Sequence, residues 1–244
     1  MIGIGIIGAK GRMGRAIAAE LADHESARLT AGADQGDDLS AAAAGCDILI
    51  DFSSPRALHD TLAAAQAAAR PLVIGTTGLG EEEHREIERA AATIPILQAA
   101  NMSLGVTLLA HLVREAASRL GPDWDIEIAE MHHRHKADAP SGTALLLGEA
   151  AAQGRGIDLA SSSERGRDGI TGGRAQGHIG FASLRGGSVA GDHMVVLAGE
   201  GERIELSHRA ETRAIFARGA VKAALWLRER PAGRYRMADV LGLS

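Results

Sequence analysis

The opening of the chain constrains its fold more than any other stretch. Residues 2–7 are isoleucine broken only by glycine, and they pass straight into Gly8-Ala9-Lys10-Gly11-Arg12-Met13-Gly14 as a helical pattern begins. A short continuous apolar run has no polar face to show to water, so it reads as a strand covered on both sides. A glycine turn and a helix directly after it make the start of a βαβ unit. The same alternation repeats downstream. Further strands are predicted at residues 28–33, 47–52, 71–75 and 95–99, giving five in all, with Ala-rich helices at 12–23, 54–69 and 81–92. Between Ala33 and Asp47 there is room for only a turn or two of helix.

The pattern changes after a helix predicted at 105–120. Gly121-Pro122 breaks it, and strand-like alternation follows at 124–131. A helix opens at Ser141, a Gly/Ser/Arg-rich loop runs from about 161 to 174, and strands follow at 178–184, 193–198 and 203–207. A helix at 212–228 carries Ile215, Phe216, Val221 and Leu225, which need a surface to bury against, and a short segment at 237–241 closes the chain. The expected architecture is α/β: a Rossmann-like parallel sheet domain formed by residues 1–103 plus 212–244, with an α+β domain on a mixed sheet inserted at 104–211. A hinge is expected at both crossings, whose closure would carry the inserted domain over a bound cofactor and expel water.

Composition excludes several function classes. With 45% hydrophobic and 23% charged residues in 244, the chain has enough apolar material for real cores. A net charge of −5 and 2% aromatics give neither attraction for phosphate backbones nor stacking platforms, so nucleic acid is not an expected partner. Cys46 is the single cysteine, which excludes an internal disulfide and any multi-cysteine zinc site. No apolar stretch reaches the roughly 20 residues a bilayer requires, and the N-terminus has no secretory pattern, so a cytoplasmic protein is expected.

The turn after the first strand suits a pyrophosphate. Glycines allow close backbone approach, and the helix start offers N–H groups and the positive end of its dipole. Gly11 and Gly14 match the last two glycines of the dinucleotide fingerprint, while the first is displaced to Gly8. Asp34 stands at the end of the second strand, where an acid binds ribose hydroxyls. Asp37 and Asp38 follow it and would repel a 2′-phosphate, favouring NADH, whereas Lys10 and Arg12 keep NADPH open. Gly75-Thr76-Thr77-Gly78 and Ala99-Ala100-Asn101-Met102-Ser103 follow strands four and five and would line the nicotinamide end; the competing reading is ordinary turns with Asn101 or Ser103 capping a helix.

The densest chemistry is Glu130-Met131-His132-His133-Arg134-His135-Lys136-Ala137-Asp138-Ala139-Pro140-Ser141-Gly142-Thr143. Histidines near neutrality exchange protons, Lys136 is a point charge, and the helix start at Gly142 and Thr143 adds N–H donors, so the segment reads as a dicarboxylate pocket. Zinc held by His132 and His135 is an alternative without a third ligand at a defensible spacing, and a solvated basic loop is another. A Tyr-x-x-x-Lys pair is absent, since Tyr235 is followed four residues later by Asp239.

These motifs together resemble the 4-hydroxy-tetrahydrodipicolinate reductase family, also called dihydrodipicolinate reductase, over essentially the whole chain. GAKGRMG at 8–14, DFS at 51–53, GTTG at 75–78, NMSLG at 101–105 and above all HHRHKADAPSGT at 132–143 carry the resemblance. It implies reduction of a cyclic unsaturated dicarboxylate by NADH or NADPH with loss of a hydroxyl as water, in lysine and diaminopimelate biosynthesis. It further implies His132 as proton donor and acceptor, Lys136 as proton donor, and His133, Gly142 and Thr143 as carboxylate contacts. The cofactor contacts it implies are Gly8, Ala9, Lys10, Gly11, Arg12, Met13, Asp34, Gly75, Thr76, Thr77, Ala99, Ala100, Asn101 and Met102, with no metal. A homotetramer assembled through the inserted domain's sheet is also implied.

Overall fold

The computed structural model describes residues 1–243. In chain order the elements are β1 (Ile2–Ile7), α1 (Arg12–Ala22), β2 (Ala27–Ala33), α2 (Leu39–Ala44), β3 (Ile48–Asp51), α3 (Leu58–Ala67), β4 (Leu72–Ile74), α4 (Glu81–Ala91), β5 (Pro95–Gln98) and α5 (Leu104–Arg119). They continue with β6 (Asp125–His132), α6 (Gly142–Arg155), β7 (Ser163–Arg165), β8 (Ile179–Arg185), β9 (Gly191–Gly199), β10 (Glu202–Ala210), α7 (Ala214–Leu227), β11 (Gly233–Tyr235) and α8 (Met237–Val240). The chain divides into two compact units, residues 1–104 with 214–244, and residues 105–213.

The first unit is a parallel sheet of order β11-β5-β4-β3-β1-β2. The inner strands β1, β3 and β4 are buried and almost wholly apolar because both faces are covered, whereas the edge strands β2 and β11 carry exposed Arg28 and Arg234. Along β3, Ile48 and Ile50 pack with α1 and α7, while Leu49 between them packs with α3 and α4 on the other face. β1 lies between β2 and β3, so the chain leaves it in opposite directions on either side. Loops after such strands diverge and open a crevice at their carboxyl ends. The sixth strand, β11, comes from the C-terminal segment; three residues are too few to show alternation in sequence, which is why only five were expected.

The second unit is a mixed sheet of order β10-β9-β6-β8-β7. β6 pairs antiparallel with β9 and parallel with β8. Alternate residues Ile126, Ile128, Glu130 and His132 of β6 are buried, and Ile126 and Ile128 share a core with Leu109 and Val113 of α5 and with Leu147 and Ala151 of α6. β7 lies inside the stretch read from sequence as a loop. Polar Ser-Glu-Arg gives no strand signal, and the pairing comes from β8. Arg174 and Arg167 tie this region to Glu127, with Arg167 bidentate at 2.9 and 3.0 Å. Among the described residues, no helix is long and apolar enough to cross a membrane.

Burial separates the consequences of substitution. Ile50→Ala, in the fully buried centre of the first sheet, should cost about 2–5 kcal/mol in urea unfolding, whereas Leu108→Ala, at a residue 44% exposed on α5, should cost less than about 1 kcal/mol.

Candidate functional site

In the first unit the β1–α1 turn is tied to the end of β2. The Ala33 carbonyl accepts from Gly8 N at 2.8 Å and Ala9 N at 3.3 Å, and the Asp34 carboxylate accepts from Lys10 N at 3.1 Å to each oxygen. A Cβ on Gly14 would overlap the carbonyl oxygens of Gly8 and Ala9, so only glycine lets α1 start this close to the turn. α1 has no side-chain cap and no acid in its first turn, which leaves the positive end of its dipole unneutralised. A cleft of about 1360 Å³ opens here, lined among others by Gly8, Gly11, Asp34, Phe52, Ser53 and Arg56. This cradle fits a dinucleotide: glycine backbone and helix N-terminus for phosphate, an acid for ribose, and an aromatic and small side chains for a base.

Asp37 and Asp38 also border the cleft, though both carboxylates are engaged. Asp37 accepts from Asp34 N at 2.8 Å, and Asp38 caps α2 through Ser40 N and Ala41 N. Gly75, Thr76 and Thr77 follow β4, and Ala99 to Met102 follow β5, at the same carboxyl edge of the sheet. The Thr76 side chain is turned inward, donating from Oγ1 to Asp51 at 3.1 Å and accepting from Ser53 N at 3.0 Å. Met102 packs into the core, and Asn101 Oδ1 accepts from Ser103 N at 2.9 Å in an Asx-type turn just before α5. Asp51 is fully buried, and loss of water pushes its carboxyl above the ordinary range against the pull of its Ser53 and Thr76 hydrogen bonds.

In the second unit the histidine-rich segment begins on β6. Glu130, with its side chain 1% exposed, accepts from His132 Nδ1 at 2.6 Å, from both Arg185 Nη atoms at 2.8 and 2.9 Å, and from Ser141 N at 3.2 Å. Burial pushes this carboxyl up, but the hydrogen bonds from Arg185, His132 and Ser183 outweigh it and hold it below the ordinary value. Ser141 caps α6 by accepting from Ala144 N, and its hydroxyl meets His193 Nε2 at 3.1 Å. The rings of His132 and His193 meet edge to face with centroids 5.0 Å apart. Desolvation, reinforced by the neighbouring His132, lowers the His193 imidazole to about 4.

The remaining residues of the segment lie nearer solvent. His133 Nε2 accepts from Arg213 at 3.0 Å, and desolvation together with that guanidinium lowers its pKa. Lys136 pairs with Asp138 at 2.9 Å, and His135 is exposed. Gly142 and Thr143 occupy the first two positions of α6, where a helix offers N–H groups that it cannot satisfy itself. Among the described residues, no set of three or more His, Cys, Asp or Glu side chains converges as metal ligands.

Arg185, His193, Asp51 and Arg56 were not singled out from sequence as site residues, and Glu130 was given no role. A period-two signal was available for one of them: Ile126-x-Ile128-x-Glu130-x-His132 places two ionisable groups on the apolar face of a strand, where charge is costly unless partnered. The partners come from β8 and β9, which only pairing brings alongside. His132 lies opposite Arg185, and Glu130 opposite His193.

Comparison with known proteins covers both units. A family model described as dihydrodipicolinate reductase, N-terminus, matches residues 2–102, and its C-terminal counterpart matches residues 105–241. The 4-hydroxy-tetrahydrodipicolinate reductase of Zymomonas mobilis subsp. mobilis is 60% identical across 98% of this chain and 97% of its own. That of Brucella abortus is 50% identical over the full length of both. Among solved structures, the dipicolinate-bound dihydrodipicolinate reductase of Paenisporosarcina sp. TG-14 superposes with a TM-score of 0.82 at 24% identity, covering 98% of each chain.

The buried His193 gives the second unit a pH signature. Its folded pKa of about 4 lies below the ordinary 6.5, so between those values the unfolded chain binds the proton and the folded chain does not. Stability should therefore be unaffected by this group above pH 6.5 and fall as pH drops from 6.5 to 4, by roughly 3 kcal/mol. Urea unfolding at successive pH values reads the slope, which His193→Gln should flatten.

Proposed function

The chain belongs to the dihydrodipicolinate reductase family, and on that premise we propose that it reduces 4-hydroxy-tetrahydrodipicolinate to tetrahydrodipicolinate with a reduced nicotinamide dinucleotide, releasing water, in lysine and diaminopimelate biosynthesis. The observation that carries this reading is the buried Glu130–His132 pair beside the N-terminus of α6. A proton-exchanging nitrogen next to N–H donors and a lysine suits a dicarboxylate that gains a proton as it gains a hydride.

The cofactor, when bound, supplies the hydride. The N–H groups of Arg12 and Met13 at the start of α1, beside the close backbone approach that Gly8 to Gly11 allow, would hold its pyrophosphate, and Asp34 would accept from the ribose hydroxyls. The segments 75–77 and 99–102 border its nicotinamide end through their backbone. In the second unit Gly142 and Thr143 hold one substrate carboxylate by N–H groups and the α6 dipole, and His133 contacts carboxylate as well. The ring hydroxyl leaves as water together with a proton from the neighbouring carbon, and hydride enters at the carbon that carried the hydroxyl. Lys136 and His132 deliver the proton that completes the addition, so one hydride and one proton, together two electrons and two hydrogens, are added across the ring's unsaturation.

NADH is slightly preferred in this reading. Asp34, Asp37 and Asp38 put three carboxylates at the ribose end of the cleft, against Arg56 and Lys10, the latter already 3.9 Å from Asp34. The protein acts in the cytoplasm as a homotetramer built through the second unit's sheet. Support for assembly comes from the sheet face opposite the helices, where Met131, Leu184, Met194 and Val196 leave apolar surface accessible.

Oxidation of NADH and NADPH at 340 nm, with freshly made product of dihydrodipicolinate synthase as substrate, tests the reaction and the preference together. Nucleotide binding without turnover would make the protein a sensor. Lys136→Ala should lower kcat by roughly 10²–10⁴-fold and leave the NADH dissociation constant unchanged. Asp34→Ala should weaken NADH by roughly 1–3 kcal/mol, read by titration, with kcat at saturation little altered.

A further inference from the structure

We propose that Glu130, gripped by Arg185, is the positioning residue that fixes which nitrogen of His132 exchanges protons; this rests on the reading of His132 as the proton-transferring group. A carboxylate with ionised oxygens only accepts, so the 2.6 Å contact places a hydrogen on Nδ1 and leaves Nε2 as the working nitrogen. Arg185 sits opposite His132 in the β6–β8 register and binds both Glu130 oxygens, while Ser141 N from the α6 cap adds a third direction. Three elements therefore pin one carboxylate, and that carboxylate pins the ring.

The far side of the ring is kept clear by a different residue. Gly191 begins β9, and a Cβ there would stand 3.0 Å from His132 Nε2. The charged and titratable groups around His132 are Glu130 on its own strand, Arg185 on β8 and His193 on β9, with His208 behind His193 on β10 and His133 and Lys136 in the following loop. Glu130 is the anion in direct contact with the ring, so it also stabilises the imidazolium formed when Nε2 takes up a proton.

Glu130→Gln keeps the shape and an acceptor but removes the charge. The variant should lose kcat by roughly tenfold or more with KM for NADH unchanged, and the alkaline limb of its kcat profile should move to lower pH, because the ring has lost the anion in contact with it. Glu130→Asp should return the limb towards its wild-type position even where kcat stays reduced. A folded Glu130→Gln protein with kcat within about twofold of wild type and an unmoved limb would overturn the proposal. Nitrogen-15 NMR of imidazole-labelled wild-type protein reads the ring independently of turnover and of whether the variant folds: hydrogen on Nδ1 in the neutral form supports the assignment, and hydrogen on Nε2 alone overturns it. Wild-type protein that shows this tautomer but does not reduce the substrate refutes the reductase reading and leaves the grip of Glu130 on the ring standing.

Discussion

A carboxylate survives in a protein interior only where donors replace the water it gives up, and Glu130 is the point in the second unit where that requirement organises everything nearby. Its donors come from β6 itself, from Arg185 on β8 and from Ser141, the residue that caps α6. Losing any one would leave buried charge short of a partner, so the strand register, the position of the α6 cap and the His132 ring are held by one energetic condition. The apolar half of the same face, Ile126 and Ile128 against α5 and α6, supplies the rigid platform. Packing and site geometry are thus two ends of one strand.

The first unit uses the same device at the carboxyl edge of its sheet. Asp51 ends β3 with no exposure and gathers Ser53 N, Ser53 Oγ and Thr76 Oγ1, which joins the turn after β3 to the turn after β4. The turn that lines the cleft at Phe52 and Ser53 is therefore connected through a buried acid to the turn after β4. A loop built of small polar residues gains definition this way without bulky side chains, which leaves room for a ligand against its backbone. On the other side of β1, the Asp34 carboxylate is held by Lys10 N, so the orientation of this cleft-lining acid is set by the β1–α1 turn itself.

Much of this was visible in residue order. The first unit's inner strands β1, β3 and β4 are short apolar runs, and the expected α/β class with a parallel sheet and a mixed second sheet is what the chain adopts. What escaped notice shares a cause. β7 and β11 are three residues long and carry Ser-Glu-Arg and Gly-Arg-Tyr, so their strand character comes from the neighbour that each pairs with. Arg185 and His193 lie 55 and 63 residues beyond Glu130 in the chain and reach it by strand pairing, which no local pattern encodes.

By itself the sequence determined the strand-turn-helix opening, the acid at the end of the second strand and the density of proton-exchanging groups between Glu130 and Thr143, because each depends on neighbours within a few residues. Tertiary structure decided which of those groups are buried and partnered. His132 and His135 look alike in the chain, yet one is locked against Glu130 and the other faces solvent. The difference is the period of two along β6, which turns His132 to the packed face while the chain leaves the sheet before His135. Local chemistry follows from residue type; its orientation follows from which strands lie side by side.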